Sequence, residues 1–155
     1  MKQNWSTLPN SNNTGTRTLI IEVPISANAQ IFNFPDQPVL KDKKIIGIEA
    51  WCNIGGSVSA PAGFYPIPNG VLSGTAAWTY TDMCNAFVQF NDKSNTAIMD
   101  REPVPVFNPA SNYGVIREFR IPMINVVWTQ CKLYFNGSYT PSGSKVAIFV
   151  ARYVP

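Results

Sequence analysis

The chain has 155 residues, 45% hydrophobic and only 14% charged, with no histidine. That length buries about 68–70% of the surface an unfolded chain exposes, enough for one domain without cross-links. The many aromatic and β-branched residues exclude a disordered chain. A formal charge of +3, with Lys41, Lys43 and Lys44 as the only basic cluster, is too weak for a nucleic-acid binder that tracks phosphates, and no run is long enough to span a membrane.

The charged share lies well below the roughly 25% of an average soluble domain. The surface is therefore expected to be Asn, Ser, Thr, Gly and Pro, or to be covered by another protein. Cys52, Cys84 and Cys131 are far apart, each inside an apolar alternating run. An odd number at such spacing fits neither a disulfide framework nor a zinc set, and predicts small buried thiols in a reducing compartment. The first residues, MKQNWSTLPNSNNTGTR, lack the apolar core of a signal peptide, so synthesis and folding in a cytoplasm are expected.

Residues 1–16 are polar and read as an extended arm, with Trp5 and Leu8 as apolar anchors that dock on the chain's own body or on a neighbour. Residues 17–155 form the expected β-sandwich domain. Arg17–Ile25 alternates Leu19, Ile21 and Val23 against Thr18 and Glu22, which predicts a strand ended by Pro24. A short strand around Ala29–Phe34 precedes the turn Phe34-Pro35-Asp36-Gln37-Pro38. The stretch Leu40–Asn53 then enters through its lysines and puts Ile46, Ile48, Ala50 and Cys52 on one side, with Gly47, Glu49 and Trp51 on the other.

Residues 53–75 form a long Gly/Pro/Ser loop whose Phe64, Tyr65 and Ile67, held between prolines, suit a rigid contact patch. Ala76–Asn91 resumes the alternation, with Cys84, Ala86, Val88 and Phe90 on one face. The turn at Asn91–Ser94 returns the chain as a partner strand over Asn95–Arg101. A second Pro/Asn loop, Glu102–Tyr113, carries Tyr113 as a further contact candidate. Gly114–Ile124 is extended until Pro122 interrupts it, with Phe119 and Ile121 on its apolar side. Val126–Phe135 alternates Val127, Thr129, Cys131, Leu133 and Phe135 inward. Lys145–Tyr153 is apolar on both faces from Val146 to Ala151, the mark of a central strand.

No segment carries helical spacing over the length a stable helix needs. About eight strands predict an all-β fold of two packed antiparallel sheets. A jelly roll suits the two long crossover loops better than an up-and-down barrel, and an immunoglobulin-like sandwich is the competing topology.

Without histidine the commonest general base and metal ligand are missing. The residue pattern predicts no enzyme, no metal site and no cofactor. Carboxylate pairs such as Asp100 with Glu102, or Glu22 with Glu49, read as surface or salt-bridged groups. Aromatic platforms for a sugar ring are the alternative, and Trp51, Trp78 and Tyr80 are the candidates, each weighed against ordinary packing.

The run IFNFPDQPVLKDKKIIGIE over Ile31–Glu49 resembles small jelly-roll structural proteins of bacteriophage virions, of the capsid or head accessory kind. The resemblance implies a virion component that binds other copies, the major capsid protein or a neighbouring accessory protein, and catalyses nothing. It also implies assembly in a host cytoplasm. A receptor- or carbohydrate-binding module of a fibre or spike is the rival expectation.

Overall fold

The computed structural model describes residues 15–52, 76–109 and 118–155. Its eight strands are β1 (Arg17–Ile25), β2 (Ile31–Asn33), β3 (Lys44–Trp51), β4 (Ala86–Asn91), β5 (Ala97–Pro103), β6 (Glu118–Met123), β7 (Lys132–Phe135) and β8 (Lys145–Val154). One short helix, α1 (Tyr80–Cys84), precedes β4. The strands form two antiparallel four-stranded sheets, ordered β1-β8-β3-β6 and β2-β7-β4-β5. First pairs with last, second with seventh, third with sixth and fourth with fifth. A long hairpin rolled up on itself gives this pairing, and the fold is a jelly roll.

Hydrophobic burial explains the layering. The centre of the first sheet is β8, flanked by β1 and β3 over most of its length. Its Ala147, Phe149 and Ala151 face the second sheet, where Val88, Phe90, Leu133 and Phe135 are buried in the same cluster. On its other side Val146 and Ile148 are also buried, packed with Ala77, Ile20, Trp51 and Val150. An apolar strand without a polar face thus takes the one position covered above and below. Phe34 fills the centre between the layers, with its ring 5.2 Å from Phe149, 5.8 Å from Phe90 and 5.9 Å from Trp128.

Four local expectations are corrected. A bulge between Ile45 and Gly47 shifts the register of β3 against both neighbours. The inserted residue reverses the alternation, so Ile45 rather than Ile46 joins Ile48, Ala50 and Cys52 in the core. The run expected over Val126–Phe135 is broken by a single 3-10 turn, Trp128–Gln130; Trp128 is buried there, and Thr129, expected inside, is exposed. Pro122 does not end β6, which runs on to Met123, because an edge strand tolerates a missing N–H. Ile121, expected on the apolar side, is 81% exposed.

The fourth correction concerns α1, where a strand was expected. Thr79 and Asp82 close a reciprocal capping box, so two otherwise orphaned N–H groups are satisfied and a single helical turn forms. That turn leaves Cys84 exposed, whereas Cys52 and Cys131 are buried. Burial pushes both buried thiols up to about 12, with Cys84 and Asp82 adding to the shift at Cys52. A thiol-reactive dye at neutral pH is therefore expected to label Cys84 alone in the native protein and all three cysteines in denaturant. Mass spectrometry of the labelled protein checks this.

Gly143 sits in the β7–β8 connection with φ +70, and a Cβ there would meet nothing within 4 Å. The cost of Gly143→Ala is then conformational alone, an expected loss of about 1–2 kcal/mol in unfolding free energy. Gly143→Asn should lose less, because Asn tolerates this region, and parallel thermal melts would show the order.

Candidate functional site

The connections fall at two ends of the roll. At one end Gln30, before β2, donates to the carbonyls of Asn136, Gly137 and Tyr139 in the β7–β8 connection, and Asn136 N–H donates to the Asn85 carbonyl after α1. At the other end the β2–β3, β4–β5 and β6–β7 connections converge on a cavity of about 610 Å³.

Each wall of that cavity is built locally. In the β2–β3 connection Asp36 Oδ1 accepts the Gln37 N–H at 3.0 Å, and Pro38 opens a 3-10 turn that ends before Lys41. In the β4–β5 turn Asp92 Oδ1 accepts the N–H groups of Ser94 and Thr96 at 2.8 and 3.0 Å, an Asx turn. In the β6–β7 connection Val127 N–H donates to the Asn91 carbonyl. Buried Asn91 ties the last two walls together: its Nδ2 donates to Gln130 O at 2.7 Å and to Asn95 Oδ1 at 3.0 Å. Asp42, Asn95 and Asn125 hold positive φ near 60°. These three are the only non-glycine positive-φ positions among the described residues, one in each connection, and such conformations persist only where the surroundings impose them.

The lining mixes charge and apolar surface. Asp36, Asp42 and Asp92 supply carboxylates, Lys41 and Lys93 ammoniums, and Pro38, Val126 and Val127 apolar wall. Trp128 completes it. That ring is 2% exposed and its Nε1 has no hydrogen-bond partner. Among the described residues no three His, Cys, Asp or Glu side chains group closely enough to hold a metal ion.

At the opposite end stands a buried ionic cluster. Asp82 is fully buried; Oδ2 accepts from Lys145 Nζ at 2.8 Å and from Thr79 N and Oγ1 at 2.9 and 3.0 Å, while Oδ1 accepts from Tyr139 OH. Burial alone would push this carboxyl up, but Lys145, Tyr139 and Thr79 outweigh it and hold the group below its usual value of 3.8. Burial and the bond to Asp82 push the Tyr139 phenol up to about 12. The carboxylate is saturated with donors, and the cluster acts as a clamp between α1 and the β7–β8 connection.

The residues anticipated from sequence are placed as follows. Trp5, Leu8, Phe64, Tyr65, Ile67 and Tyr113 lie outside the described residues. Trp78 is fully buried, and its Nε1 donates to the Trp51 carbonyl at 2.6 Å. Its ring therefore offers no face to a sugar. Trp51 is half-buried with its Nε1 on Glu49 Oε1 at 3.2 Å, and Tyr80 is 42% exposed at the start of α1. Asp100 and Glu102 are exposed on β5. Glu22 and Glu49 lie on β1 and β3 with β8 between them, and Glu49 is bound by Arg152.

Asp42, Asn125 and Trp128 were not anticipated as a site. Turn chemistry was legible at Asp36 and at Asp92, but no periodicity tells which turns meet. Comparison with protein-family models, with curated proteins and with solved structures finds no match to this chain.

Proposed function

We propose that this chain is a non-enzymatic structural protein of a virion, associated with the capsid, whose role is contact with other copies and with neighbouring virion proteins. The observation that carries the reading is the strand order β1-β8-β3-β6 over β2-β7-β4-β5, an architecture shared by viral capsid domains, lectins and cupins. A fold alone does not assign a role, so the site chemistry matters. The chain has no histidine, and the buried carboxylate Asp82 is held by four hydrogen-bond donors.

Exposed apolar side chains supply contact surface. Ile121 and Ile124 are 81% and 53% exposed on and just after β6, which has a neighbour on only one side among the described strands, and such an edge favours association. On this reading the protein is assembled in a host cytoplasm and resides in the particle. Mass spectrometry of purified particles is expected to find it at a fixed copy number, and Ile121→Asp with Ile124→Asp is expected to lower incorporation without lowering the melting temperature. A protein that is monomeric at all concentrations and absent from particles would refute the reading. A receptor- or glycan-binding module is the second reading, favoured by one observation, the cavity between the three connections.

A further inference from the structure

We propose that the cavity bounded by the β2–β3, β4–β5 and β6–β7 connections binds a neutral saccharide. The inference rests on the cavity and not on residence in a virion, and its test uses purified protein, so the two can fail separately.

Its volume of about 610 Å³ lies within the range of small-molecule sites. Sugar hydroxyls each donate and accept, so a site for them needs both kinds of partner at close quarters. Asp36, Asp42 and Asp92 accept, and Lys41, Lys93 and Asn125 donate. In Asp36 and Asp92 the turn bonds use Oδ1, which leaves Oδ2 for a ligand. Sugar rings also carry an apolar C–H face, and Pro38, Val126 and Val127 offer the matching wall.

The same features weigh against charged ligands. Three carboxylates against two ammoniums leave the cavity slightly negative, unsuited to a phosphate or a sialic acid. A cation lacks a clustered ligand set, since no three acidic groups converge among the described residues.

Asp42 and Asn125 hold left-handed backbone in the walls, a turn conformation that Asp and Asn tolerate. One further observation points to an occupant. Trp128 presents a buried indole N–H that the fold leaves without an acceptor, a state that native proteins rarely leave uncorrected. The nitrogen is covered, so contact with a hydroxyl oxygen requires the surrounding wall to move.

The test is a titration of the uniformly ¹⁵N-labelled full chain with N,N′-diacetylchitobiose and with maltose, followed through the indole N–H signals of the tryptophans. N-acetylneuraminic acid and Nα-acetyl-lysine amide serve as anionic and cationic probes. At least one neutral probe is expected to move the Trp128 signal saturably while the Trp78 signal stays in place. Asp42→Asn keeps a residue that tolerates the left-handed backbone, and Asp42 makes no side-chain hydrogen bond among the described residues. That variant, and separately Lys93→Met, is expected to bind about tenfold more weakly with an unchanged melting temperature. The proposal is overturned if neither neutral probe moves Trp128 up to about 10 mM, where a site of about 1 mM Kd is nearly full. Movement by a charged probe alone, or undiminished binding by both variants, overturns it equally.

Discussion

Phe149→Ala is expected to lower the unfolding free energy by about 3–5 kcal/mol, the largest effect of any single truncation considered. Phe149 is fully buried on the central strand of the first sheet, opposite Ile21 on β1 and Ala50 on β3. Its ring lies 5.2 Å from Phe34 and 5.7 Å from Trp78, so it joins the centre of the core to the segment that leads into α1. Removing it forfeits the transfer of a large ring from water and leaves a cavity that rigid neighbours on three strands cannot close. Urea denaturation should show a lower midpoint with an unchanged slope. Ile121→Ala, at an exposed position on the edge strand, should stay within about 0.5 kcal/mol of the parent. A loss of under 1 kcal/mol at Phe149 would mean that the two sheets do not pack as described.

The second large effect is expected at Asp82. Asp82→Ala removes the side-chain half of the capping box, leaving the bond from the backbone N–H of residue 82 to Thr79 Oγ1, and leaves the Lys145 ammonium beside an empty, buried position. Breaking such a pair from one side costs about 3–5 kcal/mol. The lower end is expected here, because the Lys145 side chain keeps 14% exposure and can turn toward water. Asp82→Asn should lose less, since an amide oxygen still accepts the Thr79 N–H. Adding Lys145→Met to Asp82→Ala should recover part of the loss.

Acid should expose the same interaction. The folded-state carboxyl lies below its usual value, so its contribution is complete above about pH 4, where the unfolded carboxyl ionises. It is lost as pH falls through the lower folded value. The parent should therefore destabilise more steeply below about pH 4 than Asp82→Ala does, and guanidinium melts at stepped pH would compare the slopes.

Much of the architecture was legible because burial leaves a period-two trace. The alternation over Arg17–Ile25 marks β1, although Pro24, expected to end it, lies inside the strand and pairs with Val146 at the sheet edge; β8 is recognisable as central because Val146 to Ala151 has no polar side. Two of the misplacements share a cause, a local device that inserts or tightens one residue. The bulge in β3 exchanged Ile45 for Ile46, and the 3-10 turn at Trp128 hid a break inside an apparently continuous alternation. The T-x-x-D signature at Thr79–Asp82 was present in the sequence and is the signal that would have revealed α1. The cavity was less legible, because its lining comes from three turns brought together only by the pairing of strands remote in sequence.

That pairing has a kinetic consequence. β8 is the last strand of the chain and yet the hydrogen-bonding neighbour of both β1 and β3. During synthesis β1 waits for residues 26–144 to be made before its partner exists, with Ile21, Val23 and Ile25 meanwhile uncovered. Such distant closures slow folding and lengthen the interval in which chains aggregate. Slow refolding, relieved by dilution or by a holding chaperone, is the behaviour this order of strands imposes.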